Sequence, residues 1–204
     1  MKPDNSVSIV DLDGTLINGN SFTMFCRFCL KSFPGLSPAI SAVALVRKLR
    51  IIGHGKAKQL ILRIVSGRMT HNYIQRFVNE LNALLRRDIL ESIADSNVKI
   101  LATAAPSIYA VPYAKALGFD LVSATEPGGP ENCESEKVAS LYGMGVIFSD
   151  NSTVYTDHYD DIPLLHANSQ GRNILVYPSE KSLQKIKEAI PKIKFSLFAP
   201  VTPA

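Results

Sequence analysis

The first apolar run of this chain ends abruptly, with Val7-Ser-Ile-Val10 stopping at Asp11-Leu-Asp-Gly-Thr-Leu16. A short β-branched run closed by a polar, glycine-bearing turn reads as a buried strand. Over residues 21–91 the texture changes. Apolar positions recur at helical spacing: Phe22, Phe25, Cys26 and Cys29, then Leu60, Ile61, Ile64 and Val65, then Tyr73, Ile74, Phe77, Val78 and Leu81. Pro34-Gly35 and Gly53-His-Gly55 punctuate this stretch, and Thr70 reads as a helix N-cap. Several helices and no strand are expected there.

Beyond Asp95 strands and helices alternate. Strands are expected at 98–102, 121–124, 153–156 and 174–177, with helices at 106–117 (closed by Gly118), 136–142 and 182–190. Such alternation predicts an α/β fold with a parallel sheet covered on both faces. One strand, a long helical insert, then the remainder of the sheet is an unusual order, and it separates an α/β core at 1–16 and 92–204 from an insert at 17–91.

Composition bounds the function classes. The chain has 204 residues, 46% hydrophobic and 20% charged, a globular balance able to bury roughly 70% of its unfolded surface. A net charge of +4 is too weak to argue for a nucleic-acid partner. Three cysteines, an odd number, do not suit a secreted disulfide framework and fit a reducing compartment. Asp4 precedes a short apolar run that ends in acids, which is no signal peptide. The longest uncharged stretch, 32–46, holds two prolines and falls short of the ~20 residues that span a bilayer. A cytoplasmic protein is expected.

In an open parallel sheet, reactive groups gather where strands end and loops converge. Asp11 and Asp13 follow the first strand, Thr103 the second, and Asp157 a later one, with Asp161 four residues on. Lys137 opens a helix after a long loop. If Asp11 and Asp157 meet, two like charges about 4 Å apart repel by roughly 4 kcal/mol. Either one carboxyl is protonated or a cation sits between them, and a hard divalent ion such as Mg²⁺ suits oxygen ligands. Asp160 reads as a solvated neighbour of Asp161, and Lys115 as a competing lysine on the wrong helix. Cys26 and Cys29 form a C-x-x-C, but no second ligand pair follows at zinc spacing. Their register with Phe22 and Phe25 places them in a core. His54 and His71 read as surface residues without partners.

Four segments in order resemble the haloacid dehalogenase superfamily, and most closely its phosphoserine-phosphatase-like branch. These are Asp11-Leu-Asp-Gly-Thr-Leu16, Leu101-Ala-Thr-Ala-Ala-Pro106, Asn132-Cys-Glu-Ser-Glu-Lys137 and Thr156-Asp-His-Tyr-Asp-Asp-Ile-Pro-Leu-Leu165. The resemblance implies a Rossmann-like core with an inserted α-helical cap, and a Mg²⁺-dependent phosphomonoesterase. In it Asp11 attacks phosphorus and Asp13 acts as acid and then base. Thr103 and the Ala104 N–H bind phosphoryl oxygens, and Lys137 neutralises charge. The metal falls to Asp11, Asp13 (by its carbonyl) and Asp157, with Asp161 acting through water or holding Lys137. Two positions depart from the family's pattern: His158 stands where a small residue is usual, and Ser135 where glycine is frequent.

By the same resemblance the insert closes over the site and selects the substrate. Arg47, Lys48, Arg50, His54, Lys56 and Lys58 crowd one part of it, either as a solvated face or to meet an anionic substrate. The segment 38–52 pairs an apolar face with trailing cations; it reads as a core-facing helix rather than one lying on a membrane. The expected substrate is therefore a small phosphorylated metabolite. A lipid phosphate head group at a membrane surface is the second reading, and a non-catalytic polyanion-binding module the third. Halide-releasing hydrolysis is disfavoured, since it has no use for Asp13 or a Mg²⁺ site.

Overall fold

The computed structural model describes residues 6–199. The expected core ends at 1–5 and 200–204, and the segment read as no signal peptide up to residue 5, lie outside the described residues. Six strands form one all-parallel sheet: β1 (Val7–Val10), β2 (Val98–Pro106), β3 (Leu121–Thr125), β4 (Ser152–Thr156), β5 (Arg172–Leu175) and β6 (Ser196–Leu197). Their spatial order is β3-β2-β1-β4-β5-β6. Val7 pairs with Val98 on one side and Ser152 on the other, so β1 lies in the interior of the sheet.

Parallel strands covered on both faces read as near-continuous apolar runs, and β1 shows why. Ile9 and Val10 are both fully buried, yet adjacent strand residues point to opposite faces. Val10 and Leu101 join Phe25, Phe77 and Tyr109 on one face. Ile9, Ile100 and Val154 join Leu141, Leu164 and Ile186 on the other. The helices that supply these side chains are α6 (Ser107–Ala116), α7 (Glu134–Gly143), α8 (Ile162–Ala167) and α9 (Glu180–Ala189), together with the insert.

Five helices lie between β1 and β2: α1 (Ser21–Ser32), α2 (Ser37–Lys48), α3 (His54–Ser66), α4 (His71–Leu81) and α5 (Arg87–Ser92). Their buried positions keep helical spacing, with Phe22, Phe25, Phe28 and Cys29 in α1, Ile61, Leu62 and Val65 in α3, and Phe77, Val78 and Leu81 in α4, although in α3 the expected Leu60 and Ile64 are only partly buried and Leu62 takes a core position. Cys29 is buried among them and Cys26 packs against them. Burial pushes the two thiols up to about 12 and about 11, as expected of core residues. Thr70 sits at the N-cap of α4, but its side chain makes no capping hydrogen bond. The helix at 38–52 departs from expectation, since Ile40 is the only residue of α2 that is fully buried. The segments leading into and out of the insert run side by side. Asn18 N–H donates to Leu84 O at 2.8 Å, and Arg86 N–H to Leu16 O at 2.9 Å.

From β1 the chain builds outward to β2 and β3, then crosses to the other side of β1 for β4, β5 and β6. That reversal leaves a crevice beyond the carboxyl ends of β1 and its neighbours, the place where open α/β sheets bind ligands.

Candidate active site

The carboxyl ends of β1, β2 and β4 and the start of α7 converge on a cavity of about 560 Å³. Asp11, Asp13, Thr103, Ala104, Lys137, Asp157 and Asp161 all line it, so chain segments more than a hundred positions apart meet as expected. Asp11 leaves β1 with its N–H still bonded to Tyr155 O of β4 at 3.0 Å, which fixes the carboxylate at the strand end. Gly14 then turns the chain with φ +80, a conformation that costs a side chain dearly. A Cβ there would overlap the Asp157 carboxylate. The first turn and the end of β4 are therefore packed backbone against carboxylate, with Thr15 Oγ1 3.4 Å from Asp157 Oδ1.

Lys137 is the electrostatic hub. It is only 3% exposed, and its ammonium lies 2.9 Å from Asp11 Oδ1 and 2.6 Å from Asp161 Oδ1. Thr156 Oγ1 donates to the other Asp161 oxygen at 2.6 Å. Burial opposes the charged lysine, but the Asp11 and Asp161 carboxylates hold its pKa above the ordinary value. Both Asp161 carboxylate oxygens are thereby partnered, one by Lys137 and one by Thr156.

Burial raises the Asp11 carboxyl to about 8; Lys137 pulls it down, while Asp161, Asp13 and Asp157 push it up. Burial likewise raises Asp157 to about 6, with His158 opposing and Asp161 adding to the effect. Asp13 is also raised by burial, although Ser21 N–H donates to its Oδ1 at 2.6 Å.

That donor set fits a hard cation: four carboxylates share the cavity with the Lys137 ammonium, and three of them, Asp11, Asp13 and Asp157, hold protons more tightly than they would in water. Among the described residues no three His, Cys, Asp or Glu side chains are gathered as a cage. A cation here would take the Asp11 and Asp157 carboxylates with a backbone carbonyl, water and phosphate oxygen, the sparse protein ligation Mg²⁺ accepts.

The second strand end is built from hydrogen bonds. β2 is expected to stop at Ala102 but continues to Pro106, with its pairing to β3 shifted between Ala102 and Pro106. Within this irregular stretch Thr103 Oγ1 accepts from Ala105 N–H at 3.0 Å, leaving the hydroxyl proton free to donate. Asn132 clamps the strand from outside, donating to Thr103 O at 3.0 Å and Ser123 Oγ at 2.9 Å.

Several neighbours had no sequence signal of their own. Lys58, one of six basic residues in the insert's crowded stretch, is 3% exposed, pairs with Glu131 and donates to Ala104 O at 2.8 Å. Gln59 donates to Glu126 O and Gly129 O, both at 3.1 Å, and accepts from Gly128 N–H at 2.7 Å. Arg86 lines the cavity, its guanidinium 4.5 Å over the Tyr177 ring. His54 is exposed as expected but not partnerless: Arg47 Nε donates to its Nδ1 at 3.1 Å. His158 packs on Tyr159 with ring centroids 4.1 Å apart and accepts from Asp160 N–H at 3.3 Å, so the departure from the family's small residue is used to cap the turn before Asp161. Asp160, Lys115 and Ser135 are exposed.

Comparison with known proteins agrees with this geometry. A protein of unknown function from Bordetella pertussis Tohama I shares 21% identity and a TM-score of 0.76, over 96% of this chain and 99% of its own. A phosphoserine phosphohydrolase-like protein from Francisella tularensis shares 18% and 0.57, over 94% of each. A phosphoserine phosphatase solved as a phospho-aspartyl intermediate analogue shares 13% and 0.57, over 96% of this chain and 94% of its own. At these identities the likeness is one of fold. No curated protein matches the sequence. The haloacid dehalogenase-like hydrolase family matches over residues 9–166, from β1 through α8 and so across every strand end that builds the cavity, and this chain belongs to that hydrolase family.

Proposed function

We propose that the chain is a Mg²⁺-dependent phosphomonoester hydrolase that works through an aspartyl-phosphate on Asp11 and acts on a small phosphorylated metabolite. The observation that carries this reading is the buried Asp11–Lys137–Asp161 linkage beside a second carboxylate, Asp157, packed on the Gly14 turn. A surface salt bridge has no need of that burial, whereas a transferring phosphoryl group needs fixed charge around it. Phosphoserine phosphatases among the solved structures of the same fold support the reaction class. The cavity, at about 560 Å³, suits a small ester.

Each residue then has a task. An Asp11 oxygen bonds to phosphorus as the ester P–O bond breaks, forming an acyl phosphate. Asp13, whose burial favours the protonated form, gives its proton to the leaving alcohol oxygen. The resulting Asp13 carboxylate takes a proton from water, which attacks phosphorus and frees Asp11. The Thr103 hydroxyl and Ala104 N–H donate to phosphoryl oxygens, and Lys137 offsets the charge gathered on Asp11 and phosphate. A bound Mg²⁺, held by the Asp11 and Asp157 carboxylates with the Asp13 carbonyl, would add the positive charge that the acid cluster lacks. Residues 17–91 serve as the cap, with Lys58 and Gln59 joining it to the core loop.

The test is release of phosphate from a generic aryl phosphate with and without Mg²⁺. Wild type is expected to turn over only with the ion, and Asp11→Asn to lose at least about a thousandfold. No turnover by folded wild type on aryl phosphate or on a panel of phosphorylated metabolites would leave a non-catalytic binding module as the better reading.

A further inference from the structure

Most of the insert carries charge of one sign. Residues 14–79 contain ten lysines and arginines and no aspartate or glutamate, while the rest of the chain has 12 cations against 18 acids. At the tip between α2 and α3 this charge adjoins exposed aliphatic groups. Leu45, Leu49 and Ile51 are 56%, 61% and 68% exposed, and Arg47, Lys48 and Arg50 alternate with them, all exposed. A cleft of about 440 Å³ opens among Arg47, Lys48, Arg50 and His54, large enough for a phosphate head group. The acid that reaches the start of α3, Glu131 of the core, is already held by Lys58.

We propose that this tip docks on the surface of a bilayer rich in anionic lipid. The aliphatic side chains would enter the boundary between head groups and acyl chains, and the cations would meet lipid phosphates. Docking of this kind lies on the surface and does not span. No single helix among the described residues is long and apolar enough to cross a membrane. The bent pair α1–α2, turned by 111°, keeps Phe22, Phe25 and Phe28 of α1 in the core. A nucleic acid fits less well, because residues 37–53 contain no aromatic ring on which a base could stack. The surface is read from the insert alone and stands whichever ester the active site takes.

The experiment is co-sedimentation of the full chain with vesicles of phosphatidylcholine, alone or mixed with phosphatidylglycerol, at low and high salt. Wild type is expected to bind the anionic vesicles at least about tenfold more tightly than the neutral ones, and more weakly as salt rises. Arg47→Gln/Lys48→Gln is expected to lose about thirtyfold in affinity, and Leu45→Ser/Leu49→Ser/Ile51→Ser about tenfold. All five positions are exposed, so wild-type thermal unfolding should be retained and confirms that binding alone has changed. No binding by wild type, equal binding to neutral vesicles, or undiminished binding by the aliphatic variant would each overturn the proposal. So would a short RNA duplex binding as tightly as the anionic vesicles, which would mark the tip as a general polyanion site.

Discussion

Gly14 shows how much one residue can decide. Its backbone is left-handed at φ +80, and its Cα faces the Asp157 carboxylate with no room for a methyl group. Gly14→Ala is therefore expected to destabilise the fold by about 1–3 kcal/mol and to displace Asp157. Urea unfolding would measure the first effect and Mg²⁺-dependent phosphate release the second. The glycine was legible in the sequence as part of Asp11-Leu-Asp-Gly-Thr-Leu16; the identity of its neighbour was not, because Asp157 lies 143 positions away. The same holds for Lys137. Its type and motif marked it, and the resemblance offered Asp161 as a partner; that Asp11 and Asp161 both contact the ammonium was visible only when β1, α7 and the end of β4 were brought together. Lys58 lacked even that mark. Nothing in a run of six basic residues says which one is buried, and the structure selects the one facing Glu131 and the Ala104 carbonyl.

Elements with long, periodic apolar patterns were readable, and short or irregular ones were not. α4 illustrates the first kind. Phe77 stands at the centre of an aromatic cluster, with ring centroids 5.3 Å from Phe25, 5.4 Å from Phe28 and 5.0 Å from Tyr109. Since Phe25 and Phe28 belong to α1 and Tyr109 to α6, this one ring joins the insert to the core. Phe77→Ala is expected to cost about 3–5 kcal/mol, read as a lowered urea midpoint. α8 and β6 illustrate the second kind. α8 has six residues and β6 only two, too few for a period to show. β2 ran past its expected end because the Thr125 hydroxyl bonds to Ala104 O at 2.7 Å and pairing resumes at Pro106, a tertiary effect with no local signature. α2 misled for a different reason. Its apolar composition resembles that of a core helix, but nothing among the described residues covers its outer face.

Across the whole molecule, two of the places where the insert is joined to the core, besides the aromatic packing around Phe77, differ in kind. The paired segments around Ile17 and Leu85 form one. The other is the contact of α3 with the loop at 126–131, made by Gln59 and Lys58. The first tie is backbone and the second side chain, so the second is the one that can let go. Gln59→Ala removes three hydrogen bonds, each worth about 1 kcal/mol. Hydrogen exchange is expected to rise in α3 and at 126–131 while β1 and β2 keep their protection. A uniform rise across the sheet would instead mean that the insert and core open as one unit.

All of these interactions serve a single chemical claim, that Asp11 takes the phosphoryl group. The direct measurement is an acid quench of wild type during turnover of an aryl phosphate, followed by peptide mass analysis. A phosphoryl adduct is expected on the peptide containing Asp11, abolished in Asp11→Asn together with turnover. An adduct on another residue, or an Asp11→Asn variant that still hydrolyses the ester at the wild-type rate, would contradict the claim.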